Sequence, residues 1–143
     1  MPRKGYAWVY VPGSGGIPVP KHKQDGIRKR IIDYIDAKYG TTGSYERIDV
    51  RFRGKHCYID AYTPPPERTA ADLKRTGETR EEFETRWRSH PLHLCRLLHY
   101  GTEEWGCAFY TYSNERYEIC AMSSGKFKGP LEEGIDIGAT YLR

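Results

Sequence analysis

The alternation of apolar and polar positions is clearest between residues 46 and 62. Ile48, Val50 and Phe52 fall on one side of an extended chain, and Asp49, Arg51 and Arg53 fall on the other. After the two-residue turn Gly54-Lys55, Cys57, Ile59 and Ala61 alternate with His56, Tyr58, Asp60 and Tyr62. The pattern predicts a β-hairpin with one apolar face and one charged, aromatic face. On the second face Asp49, Arg51 and Arg53 lie across from Tyr58, Asp60 and Tyr62. Three later stretches, LHLCRLLHY (92–100), WGCAFYTY (105–112) and YEICAM (117–122), are rich in β-formers and bounded by turn residues, so they predict three more strands. The first of these is apolar on both faces apart from Arg96 and its two histidines, which predicts a central place under helices. Strict alternation puts His93, Cys95 and His99 on one face.

A different period marks the helices. Ile27, Ile31, Tyr34, Ile35 and Lys38 recur at three and four, drawing a stripe over 21–39 that stops at Gly40. Residues 79–88 form a second helix, with Phe83 and Trp87 on one side and Thr79 and Glu82 spaced as a capping box. Pro64-Pro65-Pro66 ends the hairpin and opens a loop that holds a turn of helix at 70–74. A final helix over 130–141 is weakened by glycines at 134 and 138. The expected fold is α+β: a mostly antiparallel sheet of about five strands, with two main helices, 21–39 and 79–88, packed on one face.

The chain has 143 residues, enough for one domain with its own core. Residues 1–19 read as a basic N-terminal arm and Gly/Pro linker, and 20–143 as a single α+β domain. In the arm, residues 6–11 (YAWVYV) are β-rich and suit an added edge strand or a segment lying over the body. The glycines that follow lack the Gly-Lys-Ser/Thr of a phosphate loop and the dinucleotide spacing, so they read as a flexible joint.

The net charge is +4, but it is not spread evenly: residues 1–30 carry seven Lys or Arg against one acid, and the other 113 sum to −2. The charge describes a local patch rather than a wholly basic protein. No stretch of 18 apolar residues is present, so no membrane partner is expected, and the chain reads as cytoplasmic with reduced cysteines.

The run IDVRFRGKHCYIDAY, with HLCRLLHYG, EWGCAFYTYSNERYE and GPLEEGIDIGA after it, resembles a group of small uncharacterised bacterial proteins that share an IDVRFRG-x-x-CYIDAY hairpin. The resemblance spans about residues 20–143. It implies common descent and carries no activity, cofactor or site residue across.

Candidate chemistry therefore rests on the residues. The best motif is an aromatic, arginine-bearing sheet face: Arg51, Arg53, Tyr58 and Tyr62 can stack bases and hold phosphates, and Arg28, Lys29 and Arg30 on the first helix would extend the track. These seven residues are the expected nucleic-acid contacts. Acids at 49 and 60 work against that reading by repelling phosphate, and the RNA-recognition consensus is missing. The alternatives are a protein-binding or self-associating domain, or a hydrolase in which Asp49 and Asp60 face each other and hold a divalent metal. The Glu-x-Lys that usually accompanies such a nuclease pair is missing. Cys57, Cys95, Cys107 and Cys120 fall on four different strands with no zinc-knuckle spacing and read first as small core residues. No catalytic residue, metal site or cofactor is assigned from the sequence.

Overall fold

The computed structural model describes residues 13–142. The five strands are β1 (Arg47–Arg53), β2 (His56–Tyr62), β3 (Leu92–His99), β4 (Trp105–Thr111) and β5 (Arg116–Cys120). They form one sheet in the order β1-β2-β3-β4-β5, with every neighbour antiparallel. The helices are α1 (Lys21–Tyr39), α2 (Ala70–Thr76), α3 (Arg80–Arg88) and α4 (Leu131–Gly138), and a 3₁₀ turn, Ala139–Leu142, follows α4. The architecture is the α+β meander that the alternation predicts. The YAWVYV segment, and the basic Arg3 and Lys4 that precede it in the N-terminal arm, lie outside the described residues.

The hairpin keeps the predicted faces, with Asp49 opposite Asp60 and Arg51 opposite Tyr58, but Arg53 is opposite His56, and Tyr62, expected within that set, is opposite Arg47. Val50, Cys57, Ile59, Cys95, Leu97 and Cys107 turn to the other side and form a single buried core with Ile31 and Ile35 of α1 and Leu131 and Ile135 of α4. The four cysteines are unpaired thiols. Burial pushes the Cys57 thiol up to about 12, which suits a packing residue and not a nucleophile.

The helices depart from the expectation in one respect. The helix beside α1 over the sheet is α4, which contacts β3, β4 and α1. Its glycines are the reason. A Cβ on Gly134 would sit 2.7 Å from Leu97 Cδ2, and one on Gly138 would sit 2.9 Å from both Cys95 Cβ and the Leu94 carbonyl oxygen. The glycines that lower helix propensity therefore let the helix approach the strands closely.

Helix α3 lies near the end of the hairpin. Trp87 Nε1 donates to the Thr63 carbonyl, and Arg88 pairs with Glu46. Only Phe83 of α3 is buried, beneath the guanidinium groups of Arg68 and Arg86, and it lies outside the main core. With charge on its remaining sides, α3 has too little apolar surface to cover a sheet. Its predicted capping box is present: Glu82 N–H donates to Thr79 Oγ1, and Thr79 N–H donates to Glu82 Oε1.

The Gly/Pro linker is docked along its described length. Ile17 N–H donates to the His99 carbonyl and Val19 N–H donates to the Gly54 carbonyl, and Val19 is buried. Gly13 and Gly16, both at positive φ, lie against Ile119 and Leu98 on the side of the sheet away from α1 and α4. The segment thus covers one end of that side. The rest of it carries the site described next.

Candidate functional site

Strict alternation fails in β3, and the failure builds the site. Ile59 is opposite Cys95, but Asp60 is opposite His93, so one step along β2 matches two along β3 and Leu94 is the extra residue of a β-bulge. Cys95 stays against α4, and Leu94 is buried in the same core. His93 is turned to the opposite face from Cys95, which overturns the shared face expected for the two. A bulge commonly re-aims a side chain in this way. The result is a His93 Nδ1 atom 2.8 Å from Asp60 Oδ1. His93 N–H also donates to the Tyr112 hydroxyl at 2.7 Å.

Asp60 is 2% exposed. A carboxylate buried so far must be paired to be tolerated. Its second oxygen is 3.4 Å from Arg51 Nη2. Arg51 also lies 3.9 Å from Asp49, and its guanidinium sits over the Tyr58 ring, 5.0 Å from the centroid. Asp49 and Asp60 are thus opposed, as the hairpin register predicts, with the Arg51 cation within reach of both. Among the described residues no group of three or more His, Cys, Asp or Glu side chains is arranged to hold a metal ion.

Tyrosines surround the imidazole. Tyr110, Tyr117 and Tyr112 have ring centroids 4.7, 6.2 and 6.5 Å from that of His93. Tyr117 packs edge-on against Tyr58 and Tyr110, and Tyr112 packs against Tyr141. The Tyr141 hydroxyl donates to the Tyr110 carbonyl, anchoring the lattice to the C-terminal 3₁₀ turn. Arg96 lies over the Tyr117 ring at 5.3 Å. Burial, followed by the Asp60 charge, pushes the Tyr117 phenol up, and burial does the same for Tyr112, so both are neutral hydroxyls at physiological pH. Tyr117 Oη is the one buried side-chain polar atom among the described residues that has no hydrogen-bond partner. Such an atom costs about 1–3 kcal/mol and calls for an explanation.

The other expected contacts are distributed differently. Arg28 donates to the Val50 carbonyl, pairs with Asp25 and lies over Phe52 on the helix-covered side. Lys29 pairs with Asp33, while Arg30 pairs with Glu132 and Glu103. The basic helix therefore does not continue the Arg51 surface. Tyr62 stacks under Arg47 at 4.0 Å, farther along the hairpin, and Arg53 is exposed beside the turn.

His93, Arg96, Tyr110, Tyr112 and Tyr117 are the members of the cluster missing from the sequence-derived set. The aromatic richness of 105–117 was a signal for the tyrosines; nothing in the pattern marks the bulge that brings His93 among them. No family model, no curated protein and no solved structure matches the chain.

Proposed function

We propose that this protein binds single-stranded nucleic acid through the face of its sheet that lies away from α1 and α4. The observation that carries the reading is the pair of guanidinium groups, Arg51 and Arg96, lying over Tyr58 and Tyr117 in the middle of that face. Aromatic rings and arginine planes stack unpaired bases, and guanidinium groups hold phosphate oxygens bidentately. The objection raised by the acids is reduced, because the Asp60 carboxylate is buried between Arg51 and His93. Tyr112, 46% exposed, offers a further ring at the edge of the platform. The contact set is therefore Arg51, Tyr58, Arg96, Tyr110, Tyr112 and Tyr117, with Arg53 and Tyr62 at its margin. Arg28, Lys29 and Arg30 are not part of it.

Fluorescence anisotropy with labelled single-stranded and duplex RNA and DNA, from about 50 to 300 mM salt, tests the reading. Micromolar binding of single strands is expected, weakening steeply with salt. Replacing Arg51 and Arg96 together by Gln lowers affinity about tenfold or more, whereas neutralising Arg28, Lys29 and Arg30 changes it little. No binding of any strand at low salt would sink the proposal.

A second reading is a protein-binding or self-associating surface. The exposure of Ile119 (42%) and Phe127 (41%) favours it. A concentration-dependent mass in light scattering would support it. A hydrolase with a divalent metal between Asp49 and Asp60 is the weaker alternative, because the Arg51 cation already lies beside both carboxylates.

A further inference from the structure

The Asp60–His93 pair has a geometry that stacking and phosphate binding do not require. A carboxylate that accepts from the Nδ1–H of an imidazole fixes the tautomer and leaves the lone pair on Nε2. Here Nδ1 is 2.8 Å from Asp60 Oδ1, and Nε2 makes no hydrogen bond to any described residue. The His93 side chain is 32% exposed, while the Asp60 side chain is 3% exposed. A buried acid thus orients a base that reaches the surface. The imidazole meets Asp60 of β2, Tyr110 of β4, Tyr112 after it and Tyr117 of β5, and the same face carries Arg51 and Asp49 on β1, Tyr58 on β2 and Arg96 on β3. Arg51 touches Asp60, and Arg96 lies over the ring of Tyr117, against which His93 packs. A base and two phosphate-seeking cations on one surface suit the cleavage of a phosphodiester by a neighbouring hydroxyl.

We propose that this face cleaves single-stranded RNA, with His93 as the general base that activates the ribose 2′-hydroxyl. The proposal rests on the nucleic-acid reading above and adds a substrate class and a reaction to it. His93 Nε2 takes the proton of the 2′-hydroxyl, and the freed oxygen pair bonds to the adjacent phosphorus. The phosphorus–O5′ bond breaks with its electron pair going to O5′, which takes a proton from water. His93 then returns its proton to the solvent. The products are a 2′,3′-cyclic phosphate and a 5′-hydroxyl end, with no change in oxidation state. Arg51 and Arg96 stabilise the charge that develops on the non-bridging oxygens. Asp60 is a positioning residue: it holds the imidazole in the tautomer and orientation that the transfer needs.

The test uses the full chain, in chelator, with an end-labelled single-stranded RNA and a copy of it methylated at every 2′-oxygen. The unmodified strand should be cut to fragments ending in 2′,3′-cyclic phosphate. The methylated copy should bind with affinity within about threefold and stay whole, because it has no proton to give. His93→Gln retains a donor for Asp60 and should lower the single-turnover rate about 100-fold or more while the dissociation constant moves less than about threefold. Asp60→Asn should lower kcat, counted per folded molecule by circular dichroism, by about tenfold or more and leave KM nearly unchanged. RNA that is bound and stays whole overturns the cleavage proposal and leaves the binding proposal standing. Strands that neither bind nor break sink both. Cleavage that survives His93→Gln, that also cuts the methylated copy, or that leaves 3′-hydroxyl ends overturns the assignment. If His93→Gln fails to fold by circular dichroism, the two substrates and their products decide the matter with the unaltered protein.

Discussion

The two faces of the sheet are made from the same strands, residue by residue, and solve opposite problems. Under α1 and α4, Val50, Ile59, Cys95 and Leu97 are buried among other apolar groups, and two glycines let α4 approach the strands. On the other face, Asp49, Arg51, Tyr58, Asp60, His93 and Arg96 are joined by ion pairs, ring contacts and hydrogen bonds, with the Tyr117 hydroxyl left without a hydrogen-bond partner among the described residues. The first face is organised for packing density. The second keeps charged and aromatic groups in fixed positions where a packed apolar surface would be the more stable choice. Proteins accept local costs of that kind most often where they bind or react.

Adjacent residues separate the two roles with the largest effect. Ile59 and Tyr58 are neighbours in β2, with Ile59 fully buried and Tyr58 half-buried on the face away from α1 and α4. Ile59→Ala should lower stability by about 2–5 kcal/mol in urea titrations, through lost burial and the cavity left behind, and leave RNA affinity unchanged wherever the variant is folded. Tyr58→Ala should do the reverse, weakening RNA binding by about 1–3 kcal/mol with a smaller loss of stability. Equal effects on both properties would erase the distinction between the faces.

Gly138→Ala comes next. The added methyl meets Cys95 and the Leu94 backbone, so overpacking of about 1–3 kcal/mol should outweigh the gain in helix propensity. A variant as stable as the parent in urea would show that α4 can move away from β3 at little cost.

Tyr117→Phe sharpens the comparison from the other side. It removes the unpartnered hydroxyl and should raise stability by up to about 1 kcal/mol. If RNA affinity falls at the same time, the hydroxyl is held for a ligand. If affinity is unchanged, it serves the platform by its ring alone.

The smallest effect concerns pH and the helix-covered side. Burial raises the Asp136 carboxyl, but hydrogen bonds from Tyr39, Tyr34 and Lys38 outweigh it and the net direction is down. The Glu132 carboxyl is held down by its hydrogen bonds from Arg30. On acidification the unfolded chain therefore takes up these protons first. Their stabilisation is fully present above the ordinary carboxylate pKa of about 4 and is lost as pH falls toward the lower folded values. Urea midpoints measured from neutral pH downward should fall across that window, and Asp136→Asn should make the fall shallower. Solvent screening of these partly exposed pairs keeps the effect small.

The sequence by itself determined the parts that depend on near neighbours. The period of two from Ile48 to Tyr62 places each side chain of the hairpin on its face, and the tight turn at Gly54-Lys55 sets the register that opposes Asp49 to Asp60. The stripe through Ile31 and Ile35 and the Thr79–Glu82 box fix α1 and the start of α3 in the same local way. Only the tertiary structure decided which helix covers the sheet, because a glycine weakens an isolated helix yet permits contact when a strand waits on the other side, as at Gly134 and Gly138. It also decided the site. Leu94 is one extra residue in the pairing of β3 with β2, and an insertion in a pairing does not exist until both strands are in place. That single offset takes His93 away from Cys95 and sets it beside Asp60.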